Sequence, residues 1–267
     1  MNYIPHRVHA KDYVSGLAAS GRYHFHSSEA RGALGVSADA VKLSLNRLTR
    51  QNVIAQPARG FYVIVPPEYR SLGCLPADQF IPALMKRLNQ PYYAGLLSAA
   101  QYHGAAHHRP QEFQVLLEKA RRPISCGQVR VTFLVRKHVQ LVPYQEINTP
   151  RGWVRVSTPE ATALDLVGYC RRVGGLGHVA TVLHELAEQI DPQRLVVAAR
   201  SAPIPWAQRL GYLLELAGAY DQVNSLRDYV KNRARQTVPL LPGFGNKKSQ
   251  RDANWKVFVN TKIEKEL

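Results

Sequence analysis

Between residues 38 and 50 the apolar positions Val41, Leu45 and Leu48 fall at i, i+4 and i+7, a spacing that predicts an amphipathic helix with those three side chains facing a core. Ser37 stands ready as its N-cap, and Asp39 places a carboxylate in the first turn, where the helix dipole favours it. Two shorter helices are predicted ahead of it. One is AKDYVSGLAAS, stopped by Gly21, and the other lies in HFHSSEARGALGVS, capped by Ser27 or Ser28 and ended between Gly32 and Gly35. After the long helix, two β-prone runs at 53–55 and 61–65 flank QPARG, which is hairpin chemistry with Arg59 at the tip. Three helices, a tight glycine turn at Leu34-Gly35-Val36 and a hairpin make a winged helix-turn-helix pattern over residues 1–66, closed by Pro66-Pro67.

From residue 67 to residue 267 the pattern alternates, so this part is expected to be a larger mixed α/β domain ending in several helices. ADQFIPALMKRL and LLSAAQYHGAAHH read as helices with PYYAG between them, whereas EFQVLLE, QVRVTFLVR and GWVRVS read as strands. In the second of these strands Val129, Val131, Phe133 and Val135 alternate with Arg130 and Thr132. Thr158 and Asp191 each precede a proline, a cap-then-Pro device that starts a helix. The expected class is α/β (α+β).

Composition sharpens this picture through charge. The 267 residues are 45% apolar, which excludes a disordered chain, and 35 Lys+Arg against 19 Asp+Glu give a net charge of +16 and a pI near 10.0. Residues 1–70 hold nine cations against four acids and the remainder 26 against 15, so the excess is spread along the chain. The tail from Asp221 carries ten Lys+Arg against five acids. Such a field attracts phosphate polyanions.

The exposed face of the predicted long helix presents Lys42, Asn46, Arg47 and Arg50. Lys and Arg neutralise phosphates at any sequence, while Asn46 has the donor and acceptor pair that fits adenine, and Arg47 or Arg50 the fork that grips guanine. Arg59, at the hairpin tip, suits a minor groove or a phosphate. Ser37 is expected to cap the helix and, at its N-terminus, to donate to a phosphate. Which of these residues reads a base stays open at this point. Arg209 and the segment RRVGG are candidates for a second polyanion-facing surface.

The helix-turn-helix start, followed by RVTFLVRKHV, TPRGWVRVSTPEATALDLV, GGLGHVATVLHEL and AQRLGYLLELAG, resembles the AbiEi family over nearly the whole chain. These are antitoxins and autorepressors of bacterial type IV toxin–antitoxin, or abortive infection, operons. The most particular segments are VSTPEATALDLV (156–167) and QRLGYLLELAG (208–218). The resemblance implies an N-terminal winged helix-turn-helix that binds inverted repeats in double-stranded DNA of its own promoter. It also implies a C-terminal antitoxin domain, here 67–267, that counters an AbiEii-like nucleotidyltransferase toxin encoded beside it. Carried onto this chain, the recognition helix is the one bearing Lys42, Asn46, Arg47 and Arg50, with Arg59 at the wing tip.

Little points to catalysis, and the chain is read as a non-enzyme without cofactor. Glu160 and Asp165 raise the alternative of a nucleic-acid-processing enzyme docked by its winged helix, although no companion carboxylates or lysine stand at nuclease-like spacing. His103, His107 and His108 have helical metal-binding spacing but no HExxH glutamate, so no metal is expected. GGLGH (174–178) lacks the Lys-Ser/Thr of a phosphate loop. Cys74, Cys126 and Cys170 match no zinc, redox or disulfide spacing, and no run of about 18 apolar residues occurs, so a cytoplasmic protein away from membranes is expected. A third reading keeps the DNA-binding regulator and removes the toxin.

Overall fold

The computed structural model describes residues 8–105, 111–245 and 249–263. In chain order the first elements are α1 (Ala10–Ala19), β1 (His24–His26), α2 (Ser27–Leu34), α3 (Ala38–Arg50), β2 (Ile54–Ala58) and β3 (Phe61–Ile64). There follow α4 (Ala77–Arg87), β4 (Tyr92–Ala94), α5 (Leu96–Tyr102), β5 (Phe113–Leu117), β6 (Ile124–Cys126), β7 (Val129–Val135), β8 (Tyr144–Thr149) and β9 (Gly152–Ser157). The last part holds α6 (Pro159–Gly168), α7 (Gly175–Leu186), α8 (Pro192–Arg200), α9 (Ile204–Leu216), α10 (Tyr220–Arg233), and the short strands β10 (Val238–Pro239), β11 (Gln250–Asp252) and β12 (Val257–Val259). The chain is thus a mixed α/β protein with three sheets among the described residues. Two compact units divide it. The first takes in Met1–Pro91, Gln111–Val135 and Glu146–Val154, and the second Tyr92–Pro110, Arg136–Gln145 and Arg155–Leu267.

In the first unit, α1, α2 and α3 pack with a three-stranded antiparallel sheet of order β1-β3-β2. Val41, Leu45 and Leu48 of α3 are buried with Val14, Phe25 and Leu34, and Phe25 stacks on Tyr62 at 5.5 Å between ring centroids. Gly35 ends α2 in the left-handed conformation at φ 61°, where a side chain is strained, so the turn into α3 fits glycine. Ser37 caps α3, its Oγ accepting from the Ala40 N–H at 3.3 Å. The cap of α2 is His26, whose Nδ1 accepts from the Ser28 N–H at 3.2 Å, and neither Ser27 nor Ser28 takes that place.

The hairpin is tighter than QPARG implies. Strand β2 runs on through Pro57 and Ala58, the register shifting between Ala55 and Ala58, and only Arg59-Gly60 turns. Proline has no N–H to give the ladder, and an irregular register is where a strand tolerates it. The same unit holds α4 and the strands β6-β7-β5, with β5 and β7 parallel and β6 and β7 antiparallel. The alternation expected in β7 breaks near its end: Leu134 is buried and Val135 exposed.

In the second unit β4 pairs with β9 in parallel, Ala94 opposite Val156. Helix α6 is the hub, packed against α5, α7, α8 and α9, and every residue from Glu160 to Val167 is buried. A helix covered on all sides needs no polar face, which is why VSTPEATALDLV carries almost no amphipathic pattern. Thr158 caps it as expected, accepting from the Ala161 N–H at 3.4 Å, and Asp191 caps α8 through Gln193 and Arg194 at 2.9 and 2.8 Å.

The motif QRLGYLLELAG has a structural task. Buried Gln208 donates from Nε2 to the carbonyls of Gln236 and Lys256 at 3.0 Å each, and Arg209 Nε donates to Pro239 O at 2.9 Å. Gly211 lies under the ring of fully buried Trp255, where an added Cβ would overlap the indole. Helix α9 thereby holds the small sheet of order β10-β12-β11. Gly211→Val is expected to expel Trp255 and lower the unfolding temperature by several degrees, with Trp fluorescence shifting to the red; an unchanged spectrum and melting curve would refute this packing account.

Candidate nucleic-acid interface

Helix α3, the start of α2 and the β2–β3 turn enclose an open groove of about 680 Å³. Lys42 and Asn46 enter it from α3, Arg31 from α2, and Gln56 and Arg59 from the hairpin, and no Asp or Glu lines it. Lys42, Asn46, Arg31, Gln56 and Arg59 are all exposed. The turn is fastened to α2 by the Ser27 N–H donating to Gly60 O at 3.0 Å. Gly60 has φ +71°, a conformation that favours glycine beside Arg59, and a Cβ there would stand 2.6 Å from His26 Nε2 and push that ring aside. His26 Nδ1 also meets Ser28 Oγ at 2.7 Å, and burial, aided by Arg87 and opposed by Glu29, holds its pKa below the ordinary 6.5. The groove wall is thus set by hydrogen bonds and the cations project from it.

Of the six residues singled out from sequence, Lys42, Asn46 and Arg59 share this groove. Arg47 and Arg50 are exposed on α3 but lie outside the groove lining, and Ser37 is exposed with its hydroxyl engaged in the cap. Arg31, Gln56 and His26 were not legible as groove residues. The positions of Arg31 and His26 depend on strand β1 pairing with β3, His26 opposite Phe61, which places the start of α2 beside the hairpin turn, and Gln56 reaches the groove from β2.

The second unit explains the carboxylates that raise the enzyme alternative. Glu160 Oε1 accepts from the Asp191 N–H at 3.2 Å, tying α6 to the cap of α8. Asp165 accepts from Tyr93 Oη at 2.6 Å and Arg136 Nε at 3.1 Å, and Arg136 donates on to Ser201 O at 2.8 Å and lies 4.8 Å from the Trp206 ring centroid. Burial pushes the Asp165 pKa up, and Arg136 and the Tyr93 hydrogen bond pull it back. Arg209 is a correction to the second polyanion surface: it is buried, its pKa lowered by desolvation, and it is spent on Pro239. In RRVGG, Arg171 and Arg172 are both exposed, and Arg171 bonds Pro242 O.

His103 is buried with Nε2 2.8 Å from Ser157 O, and a carbonyl only accepts, so Nε2 carries the proton. Desolvation lowers its pKa from 6.5, with the Ser157 carbonyl and Glu160 opposing. A lowered folded pKa means that the unfolded chain binds the proton first, so this contribution to stability is full above about 6.5 and lost as pH falls toward the folded value. Urea midpoints are expected to drop between pH 7.5 and 5.5, and less so in His103→Gln; an equal drop in both would sink the assignment. His107 and His108 lie outside the described residues, and no cluster of three or more His, Cys, Asp or Glu able to hold a metal occurs among those described. No helix among them is long and apolar enough to cross a membrane.

The chain shares its fold with the RV2827C protein from Mycobacterium tuberculosis, with a TM-score of 0.66 over 93% of this chain and 90% of that one, at 18% identity. An antigenic nucleotidyltransferase-like protein from Paracoccidioides brasiliensis aligns at a TM-score of 0.39 and 11% identity, covering 58% of this chain and 90% of that one, a distant likeness. No curated protein matches the sequence. Residues 93–216 match the family model of the AbiEi antitoxin C-terminal domain. That match supports an AbiEi-type antitoxin domain over residues 93–216.

Proposed function

We propose that this protein is both an antitoxin and the autorepressor of its own toxin–antitoxin operon. Residues 1–66 act as a winged helix-turn-helix that docks α3 in the major groove of promoter DNA and lays the β2–β3 turn along the backbone. The observation that carries this reading is the acid-free groove in which Lys42, Asn46, Arg31, Gln56 and Arg59 converge on one exposed side. Cations there neutralise phosphates and release counterions, and Asn46 offers paired donor and acceptor atoms to a base edge. Arg47 and Arg50 extend the same basic helix along the duplex, and Ser37 holds the helix N-terminus.

Residues 67–267 supply the antitoxin function, countering a nucleotidyltransferase-type toxin encoded alongside. The AbiEi domain match supports this half. Two experiments separate the halves. A gel shift with the DNA upstream of the gene should give a complex that prefers this DNA over random sequence and weakens steeply with salt. A complex without preference removes the repressor role. Co-expression with the neighbouring toxin should restore growth, and continued killing in the presence of folded antitoxin removes the other half.

A further inference from the structure

Cys74 and Cys126 are far apart in sequence, yet the fold crosses their segments. Gln128 N–H donates to Leu72 O at 2.7 Å and Gln128 Nε2 to Ser71 O at 3.1 Å, strapping residues 71–74 to the β6–β7 turn. At the crossing Gly73 (φ +65°) faces Gly127 (φ +57°). A Cβ on Gly127 would lie 2.9 Å from Gly73 Cα, so the backbones touch with no side chain between them. Cys74 follows the first glycine and Cys126 precedes the second, and their thiols meet in a hydrogen bond. Cys74 is fully buried and Cys126 is half-buried, the more accessible of the two.

The surroundings make Cys126 the nucleophile. The Cys74 thiol donates to its sulfur, the Gln56 backbone N–H donates as well, and the Arg130 guanidinium lies near; together these outweigh burial and lower its pKa, whereas that of Cys74 is raised by the hydrogen bond it makes and by burial. A partly exposed thiol with a lowered pKa, in an electropositive setting and beside a second cysteine, is the arrangement of a redox-sensing pair. Strand β2, which carries Gln56, packs against β6, and Gln56 and Arg59 line the groove.

We propose that Cys74 and Cys126 form a disulfide on exposure to a hydroperoxide, and that this disulfide releases strand β2 and so weakens the DNA interface. The Cys126 thiolate attacks the terminal peroxide oxygen, the O–O bond breaks, and the departing oxygen takes a proton as water or an alcohol, leaving a sulfenic acid. The Cys74 sulfur then attacks the Cys126 sulfur, hydroxide leaves, and the Cys74 proton converts it to water. Two thiols are oxidised by two electrons as one peroxide is reduced. A neutral disulfide sulfur is a poor acceptor, so the Gln56 N–H loses its partner.

The DNA consequence rests on the reading under Proposed function, and the test keeps the two apart. The reduced full chain is treated with hydrogen peroxide, and free thiols and linked peptides are read by mass spectrometry. Free thiols are expected to fall from three to one, with Cys74 linked to Cys126 and reversal by dithiothreitol. Cys126→Ser should keep both remaining thiols, and Cys74→Ser should stop at a sulfenic acid that dimedone traps. Affinity for upstream DNA should fall about tenfold on oxidation and recover on reduction, with no change in Cys126→Ser. Unchanged thiols, or linkage through Cys170, overturn the pair. A complete disulfide with unaltered DNA affinity overturns the coupling to β2. If the reduced protein binds no DNA, the coupling falls with the DNA reading, while the peptide map still decides the disulfide.

Discussion

Replacing Asp165 by alanine is expected to destabilise the protein by about 3–5 kcal/mol, the usual consequence of leaving one member of a buried ion pair without its partner. The side chains of Arg136 and Asp165 are 5% and 1% exposed, so neither charge can be compensated by water once the other is removed. Asp165 also anchors Tyr93 Oη, and Arg136 would be left with carbonyl acceptors only, at Lys137 and Ser201. The expected order of chemical unfolding midpoints is wild type, then Asp165→Asn, then Asp165→Ala, because asparagine keeps the volume and one acceptor but not the charge. A double variant, Arg136→Met with Asp165→Leu, should recover part of the loss, since a well-packed apolar pair removes the desolvation cost of both ions. If Asp165→Ala unfolds at the wild-type midpoint, the pair is not what fixes α6. A nucleic-acid-cleaving role for Asp165 would instead require loss of activity without loss of stability.

Local features of this fold were legible in sequence wherever the deciding interaction is local. Ser37, Thr158 and Asp191 cap the helices they precede, since capping involves only the next two or three residues. Val41, Leu45 and Leu48 face the core because helical period alone aligns them. What failed were features set by partners far along the chain. His24–His26 is too short to read as a strand and becomes one by pairing with β3, and that pairing is what brings Arg31 and His26 to the groove. Arg209 looked like a surface cation until its carbonyl partner, thirty residues on, came into view. The cysteines looked unrelated because their meeting depends on two glycines whose backbones cross. Helix α6 carries one of the two segments most particular to the family resemblance, and its residues answer to neighbours on every side rather than to a period.

The double substitution Arg47→Ala, Arg50→Ala is expected to weaken binding to upstream DNA by about 100-fold, near the lower end for two arginines that each grip a guanine edge. Both are exposed and outside the groove lining, so their removal should leave the melting temperature within a degree or so of wild type; loss of affinity would then report contact rather than unfolding. The singles sort the roles. A residue bound to a base edge relaxes sequence preference at one position when removed, whereas one bound to phosphate weakens all sequences alike and lowers the salt slope by about one. Asn46→Ala should behave in the first way, because its amide carries no charge to release a counterion. Arg59→Ala should behave in the second, because a cation on a two-residue turn held by Gly60 reaches the backbone before it reaches a base. Full affinity in the double variant would remove Arg47 and Arg50, the C-terminal half of the α3 face, from the recognition surface and leave DNA binding to the groove cations Arg31, Lys42 and Arg59.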